Sequence, residues 1–244
     1  MPNERILILG GTGLARETAN ALVARGAQVV TSFAGVTTSP HLPQGEIRKG
    51  GFGGVEGLTA YLGQHKFDFV IDATHPFAAQ MSDHAATACS KVGVMLIRLE
   101  APPWQKQPQD DWRMVQTIAE AAAALPSGAR AAVTVGRKEI GAFFSRADIL
   151  GIARMIEPPE QAVPARWELL LERPPFALEA EIDLLRANEI QFLVSKNAGG
   201  ARAAKLDAAA ALGLPVVMVA RPAKPTAETN SSVAELLGRL GYRG

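Results

Sequence analysis

The sequence predicts an α/β protein made of two lobes with mostly parallel sheets. Three observations carry that expectation. Short apolar runs alternate with alanine- and leucine-rich stretches of helical periodicity along the whole chain, the order that parallel strands with crossover helices require. Nine such runs are many for one open sheet in a chain of 244 residues. A break at residues 101–112, Ala-Pro-Pro-Trp-Gln-Lys-Gln-Pro-Gln-Asp-Asp-Trp, then interrupts regular structure near the middle. The expected organisation is a first lobe over 1–100, a linker over 101–112 and a second lobe over 113–244.

Bulk properties narrow the class of function. A net charge of +1 excludes a general nucleic-acid binder, whose basic footprint would show in composition. Trp104, Trp112 and Trp167 are also too scattered for a base-stacking platform. The single Cys89 excludes an internal disulfide framework and fits a reducing compartment. The apolar run at 6–9 is too short for a signal sequence, and no run nears the length that spans a bilayer. A soluble cytoplasmic protein with no membrane partner is expected.

The first strand is expected at 6–9. It stops at Gly10-Gly11-Thr12-Gly13, and a helical pattern follows at once (Ala15, Ala19, Leu22, Val23) with its helix expected over 16–25. Strand, glycine turn and helix together aim unpaired backbone N–H groups and a helix dipole at a phosphate. The amides of Gly11, Thr12, Gly13 and Leu14 are therefore the candidate pyrophosphate site. Glycine pairs at strand ends are common; the strand-to-helix context is what singles this one out.

The second strand, 28–33, would end in Asp or Glu if it held a ribose 2′-hydroxyl. Here it reads Val29-Val30-Thr31-Ser32-Phe33, with no carboxylate. Thr31 and Ser32 can donate to a 2′-phosphate and Arg16 can add charge, which favours NADPH over NADH; otherwise these residues merely begin a loop. Lys49-Gly50-Gly51-Phe52-Gly53-Gly54 follows an expected edge strand, as a close approach to a ligand or a tight turn.

A helix at 55–64 leads to the strand 67–72 and a second strand-to-helix junction, Asp72-Ala73-Thr74-His75-Pro76-Phe77, before a helix at 78–92. Pro76 suits a first helical position, which makes His75 the cap residue. Strand carboxyl ends are where ligands sit in open α/β sheets, so Thr74 and His75 are expected to face a ligand. The positive end of a helix there would favour a neutral imidazole donor; a purely structural histidine is the alternative. His75 and His84 stand about 180° apart on a helix, and His41 and His65 have no partners at ligand spacing, so no metal site is expected. A strand at 94–98 completes the first lobe.

In the second lobe, helices are expected at 118–125, 178–187, 202–212 and 233–240, and strands at 131–135, 149–153, 168–171, 191–195 and 216–220. Val133-Thr134-Val135-Gly136-Arg137 and Val194-Ser195-Lys196-Asn197-Ala198-Gly199-Gly200 repeat the strand-then-glycine theme. Each places a cation, Arg137 or Lys196, at a strand's carboxyl end, and Arg202 and Lys205 follow in the next helix's first turn. Cations there oppose the helix dipole, which points to an anionic ligand; a solvated surface is the alternative. The alanine-rich helices read as close packing against a sheet.

Several blocks resemble the precorrin-6A reductase family. They are Gly-Gly-Thr-x-x-Ala-Arg at 10–16, Thr-Ser-Phe-Ala-Gly at 31–35, Gly-Gly-Phe-Gly-Gly at 50–54 and Asp-Ala-Thr-His-Pro-Phe-Ala at 72–78. Arg98-Leu-Glu-Ala-Pro-Pro-Trp104, Val135-Gly-Arg137, Lys196-Asn-Ala-Gly-Gly200 and Lys205-Leu206 continue them, in order, over nearly the whole chain. The resemblance implies two Rossmann-like lobes with the active site in an interlobe cleft. It implies hydride transfer from NADPH to a ring double bond of a macrocycle bearing acetate and propionate groups, with or without cobalt, in cobalamin biosynthesis. Arg137, Lys196, Asn197, Gly199, Gly200, Arg202 and Lys205 would bind that anionic substrate, since charge-assisted bonds to Arg and Lys are strong. Gly10 to Leu14, Arg16, Thr31, Ser32 and Thr74 would hold NADPH, and His75 would donate or orient a proton. Hand-over of product to neighbouring pathway enzymes is a further implication.

Three positions depart from the family pattern: Val36 stands where Arg is frequent, Ala198 replaces a usual Ser, and Pro174 stands in place of a Gly. Two other readings remain. A short-chain-type dehydrogenase or epimerase would need a Tyr-x-x-x-Lys pair, but Tyr61 is followed four on by His65 and Tyr242 lies two residues from the end. A non-catalytic NADP(H)-sensing module would bind cofactor without turnover.

Overall fold

The structure is a computed structural model, and it describes residues 4–33 and 42–242. In chain order the elements begin with β1 (Arg5–Leu9), α1 (Gly13–Val23), β2 (Gln28–Phe33), β3 (Glu46–Lys49), α2 (Gly54–His65), β4 (Phe69–Asp72), α3 (Ala79–Val92) and β5 (Met95–Leu99). There follow β6 (Trp112–Val115), α4 (Ile118–Ala123), β7 (Arg130–Thr134), α5 (Gly141–Phe144), β8 (Leu150–Met155), β9 (Trp167–Leu171), α6 (Leu178–Ala187), β10 (Phe192–Lys196), α7 (Ala204–Ala211) and β11 (Val216–Val219). β12 (Glu228–Asn230) and α8 (Val233–Arg239) close the chain.

The expected α/β organisation with parallel sheets is what forms, as two compact units. The first comprises Met1–Pro102 and Pro222–Gly244 and the second Pro103–Arg221. The first unit's sheet has the order β12-β5-β4-β1-β2-β3, all neighbours parallel. The second unit's sheet has the order β6-β11-β10-β7-β8-β9, again parallel throughout. In each sheet the strand order reverses once, beside β1 in the first and beside β7 in the second. Ligands of such folds sit outside the strand carboxyl ends at that switch point.

The lobe boundary expected at 113–244 is corrected at its far end. Residues 222–244 return to the first unit: β12 pairs with β5 (Glu228↔Ile97, Asn230↔Leu99), and Val233, Leu236, Leu237, Leu240 and Tyr242 enter the same core as Ile6, Ile8, Leu22, Ile71 and Ile97. β12 carries no apolar run, only Glu-Thr-Asn, so period and propensity did not signal it. β6 likewise starts on the last residue of the stretch expected to be a linker. Its exposure is that of an edge strand, Trp112 buried and the next two residues exposed.

The first sheet packs on both faces. Ile6, Ile8 and Ile71 meet α1 and α8 on one side, while Leu7, Leu9 and Val70 meet Leu58 and Leu62 of α2 and Ala85 and Ala88 of α3 on the other. Successive residues of one strand point to opposite faces, and both faces here are covered, so β1 reads as unbroken apolar sequence. Of the alanine-rich stretches expected to pack on a sheet, 119–124 buries Ala121 and Ala122 of α4, and 208–211 places Ala208 and Ala209 of α7 in one core with Ala132, Leu193 and Val216 of the second sheet. Among the described residues no helix is long and apolar enough to cross a membrane.

Candidate functional site

In the first unit the carboxyl ends of β1, β2 and β4 converge on the glycine turn. Gly10 is there for proximity: a Cβ on it would stand 2.9 Å from Thr31 Cγ2, and its N–H donates to Ser32 O at 2.9 Å. That amide is therefore spent within the sheet and not offered to a ligand. Gly11 has φ +118°, a region that favours glycine, and a Cβ on Gly11 or Gly13 would meet none of the described residues within 4 Å. Among the described residues, space is thus open where a ligand would approach the backbone of the turn.

Thr12 caps α1, which starts three residues earlier than expected. Its hydroxyl accepts from Ala15 N at 3.1 Å and donates to Ala73 O at 2.8 Å. The Thr12 side chain thus ties the turn to the end of β4, leaving its backbone as the part that can serve a phosphate. Leu14 is half-buried against the core, and Arg16 is exposed one turn into α1.

Thr31 and Thr74 correct the expected cofactor set. The Thr31 side chain is fully buried beneath Gly10, so it is not presented to a ligand; its Oγ1 has no hydrogen-bond partner among the described residues. The Thr74 hydroxyl is committed to Asp72, donating to Oδ1 at 2.6 Å, with the Thr74 N–H donating to the same oxygen at 3.2 Å. Asp72 ends β4 and is 1% exposed. Its other oxygen accepts from Ser82 Oγ at 2.6 Å and from Arg98 Nε at 3.5 Å. Sequence reading treated Asp72 as part of a motif and missed it as the centre that holds β4, α3 and β5 together.

His75 is not a helix cap. The helix begins at Ala79 rather than 78, and residues 75–78 form a separate turn closed by Ala78 N donating to His75 O at 2.8 Å. Proline at 76 fits this turn as well as it fits a first helical position. His75 Nδ1 accepts from Phe77 N–H at 3.2 Å, an arrangement that assigns the ring proton of the neutral imidazole to Nε2. The side chain is exposed at the carboxyl end of β4.

Ser32 is buried with its hydroxyl 3.3 Å from Nη1 of Arg48 on the neighbouring β3. The sequence reading missed Arg48. The available signal was its position two residues before the first glycine of the turn at 50–54, next to last in an edge strand. Val36 and His41 lie outside the described residues.

The second unit gathers cations at the carboxyl ends of β7, β8 and β10. Arg137 is exposed and pairs with Glu157 at 3.2 Å, and Lys196 Nζ lies 3.0 Å from Glu139 Oε1. Lys205, in the first turn of α7, donates to Thr134 Oγ1 at 2.7 Å. Its ammonium has no carboxylate partner among the described residues. Burial, with Arg154 and Lys196 adding to it and Glu181 opposing it, pulls its pKa down to about 7. Arg154 was also missed, because it sits inside the β8 run; it is buried in a two-pronged pair with Glu181 at 2.5 and 2.9 Å.

Asn197 and Arg202, expected to bind substrate, are each held by neighbouring residues. The Asn197 amide accepts from Trp104 N at 2.8 Å and donates to Trp104 O at 3.1 Å, clasping the backbone of the proline-rich segment. Arg202 precedes α7 rather than sitting in its first turn. Its guanidinium forks onto Asp110 at 2.6 and 3.1 Å and reaches Asp207 at 2.5 Å, so its charge is already compensated. Gly199 and Gly200 carry φ +74° and +78°, the left-handed turn that carries the chain from β10 towards α7. Arg137, Lys196 and Lys205 remain as the cations aimed at the strand ends, with Lys205 the least compensated.

Comparison with known proteins gives a consistent result. Residues 5–240 match the family described as precorrin-6x reductase CbiJ/CobK. The chain is 45% identical over 241 residues to the precorrin-6A reductase of Rhodococcus erythropolis, covering 97% of each. It is 42% identical over 243 residues to that of Rhodobacter capsulatus, covering 98% of this chain and 97% of the other. A solved structure of CobK precorrin-6A reductase, 40% identical, superposes with a TM-score of 0.90 over 98% of this chain and 96% of that one.

Proposed function

Because the chain belongs to the precorrin-6x reductase family CbiJ/CobK, we propose that it reduces a ring double bond of precorrin-6A with NADPH as hydride source, the first unit holding the nucleotide and the second the macrocycle's carboxylates. The chain is an oxidoreductase of cobalamin biosynthesis by family. The observation that carries the cofactor assignment is the open backbone turn at Gly11 to Leu14, at the switch point of a sheet whose second strand ends without a carboxylate.

The residues present fit such a cofactor. The N–H groups of the first turn of α1 and the uncovered face of Gly11 and Gly13 suit a pyrophosphate. No acid at the end of β2 would repel a 2′-phosphate. When bound, NADPH supplies the hydride. The protein's own work is then binding, orientation and charge placement. Lys205, Lys196 and Arg137 meet the macrocycle's carboxylates, and Lys205 gains most from doing so because burial disfavours its charge and no carboxylate of the described residues lies at ion-pair distance from it.

We assign to His75 the orientation of the proton source: as a neutral imidazole at the carboxyl end of the strand beside the nucleotide turn, its Nε2–H donates a hydrogen bond, and water supplies the proton that completes the reduction. His75→Ala is expected to lower kcat by about 100-fold while leaving nucleotide binding unchanged; unchanged turnover removes the residue from the mechanism. The test of the overall reading is anaerobic incubation with NADPH and precorrin-6A, or its cobalt form, followed at the nicotinamide absorbance band. Saturable oxidation of NADPH that depends on the macrocycle supports the reading. Nucleotide binding without turnover of either macrocycle would leave only a sensing module.

A further inference from the structure

The carboxyl ends of β1, β2 and β3 are locked side by side. Gly10 N donates to Ser32 O at 2.9 Å, and Ser32 stands opposite Arg48 in the β2–β3 register. Arg48 Nη1 donates to Ser32 Oγ at 3.3 Å and to Gly50 O at 2.5 Å, and Nη2 donates to Gly51 O at 2.9 Å. One face of the guanidinium rests on the Phe52 ring, 3.8 Å from its centroid, with Tyr61 5.1 Å away. Every acceptor named here is neutral, and Arg48 forms no salt bridge among the described residues.

That distinguishes it from the other well-held arginines. Arg202 is neutralised by Asp110 and Asp207, Arg154 by Glu181, and Arg146 by Asp148. A guanidinium fixed in orientation by an aromatic face and two carbonyls, yet left without a counter-ion, is pre-organised for an anion. The sheet places it two strands from the phosphate turn, beside a serine hydroxyl, at the end of the strand that ordinarily reads the adenosine ribose.

We propose that Arg48, with Ser32, binds the 2′-phosphate of the adenosine half of the cofactor and sets the preference for NADP(H) over NAD(H). The assignment rests on the nucleotide reading of the first unit and adds a residue to it. The glycine pair that follows β3 belongs to the same device. Gly50 and Gly51 turn their carbonyls onto the guanidinium, and Gly50 has φ +103°, a conformation that an L side chain rarely adopts. The turn at 50–54 thus serves to aim an arginine, rather than to pass its own backbone along a ligand.

The test is equilibrium binding by calorimetry of NADPH, NADH, 2′,5′-ADP and 5′-AMP to the full chain and to Arg48→Ala, Arg48→Lys and Ser32→Ala. The wild type is expected to favour NADPH over NADH and 2′,5′-ADP over 5′-AMP. Arg48→Ala should lose roughly 10- to 100-fold in affinity for the phosphorylated member of each pair, the scale of a charge-assisted contact, with NADH and 5′-AMP unchanged. Arg48→Lys should retain part of the preference, since it keeps the charge without the planar fork, and it tests the assignment should the alanine variant misfold. Unchanged NADH binding serves as the internal check on folding. A preference for NADPH that survives undiminished in Arg48→Ala and Arg48→Lys, or an equal loss for NADPH and NADH, overturns the role of Arg48 and leaves the nucleotide reading standing. A wild-type chain that binds none of the four saturably overturns both.

Discussion

Single residues here show how chemistry and scaffolding compete for the same polar groups. Thr12, Thr74, Asn197 and Arg202 were all plausible ligands on residue type and position, and each proves to be spent on its neighbours. Sequence motifs carry both kinds of residue at once and cannot separate them, because the separating fact is the partner of each hydrogen atom. Asp72 is the clearest case. It is 1% exposed and satisfies Thr74, Ser82 and Arg98. Asp72→Ala leaves a buried guanidinium uncompensated, and urea unfolding is expected to show a loss of about 3–5 kcal/mol. Lys205 gives a prediction in pH. Its pKa falls from 10.5 in the unfolded chain to about 7 when folded, chiefly by burial. Between those values the unfolded chain holds a proton that the folded chain lacks, so stability from this group rises with pH through that window, and its penalty is full below pH 7. Unfolding of the wild type at pH 6.5 and pH 9 should therefore differ in favour of pH 9, and Lys205→Met should reduce that difference. An identical pH dependence in the variant would show that the ammonium is not desolvated.

At the level of elements, periodicity was a good guide where a segment buries a continuous face. The strand at 28–33 and the helix at 178–187 form with their expected limits, because alternation of buried positions and an amphipathic face are local properties. It failed where the element depends on a distant partner. β12 is three polar residues that become a strand only by pairing with β5, and β6 is an edge strand whose hydrogen bonds go to β11. Cap chemistry also decided boundaries: Thr12 starts α1 at Gly13 by accepting from Ala15 N, whereas His75 turns back onto Phe77 N and delays α3 to Ala79. The turn between β1 and α1 offers a direct test of why its glycines are there. Gly11→Ala places a side chain at φ +118° with none of the described residues within 4 Å of it, so backbone strain of about 1–3 kcal/mol is expected without a clash among them. The new methyl group would occupy the approach to the turn. NADPH affinity, measured by fluorescence titration, is expected to fall by more than thermal stability does; a variant that melts earlier but binds normally would place the phosphate elsewhere.

For the whole molecule, the informative disagreement concerns continuity of the chain. A reading from composition places one boundary at the proline-rich segment and assigns everything after it to the second lobe, because nothing local marks the return. The first unit is instead discontinuous, Met1–Pro102 with Pro222–Gly244, and the second is an insertion between β5 and β12. This makes a quantitative demand on the isolated N-terminal piece. Without residues 222–244, β5 becomes an unpaired edge and the core loses Val233, Leu236, Leu237, Leu240 and Tyr242. Burial of an apolar side chain contributes about 1.5–3 kcal/mol, so the loss is on the order of 10 kcal/mol, comparable to the whole stability of an ordinary domain. Arg98 loses its bond to Pro225 O and Glu4 loses the Tyr242 hydroxyl, which lies 2.6 Å from its Oε2. A fragment of residues 1–102 is therefore expected to show no cooperative urea transition by circular dichroism. Lys224 Nζ lies 2.5 Å from Glu100 Oε2, so the two ends of the insertion meet closely enough for a short glycine-serine linker to replace it. Residues 1–102 joined in this way to 222–244 should unfold cooperatively and bind 2′,5′-ADP. If the N-terminal fragment alone unfolds cooperatively, the returning segment is an accessory to the first unit's core rather than part of it.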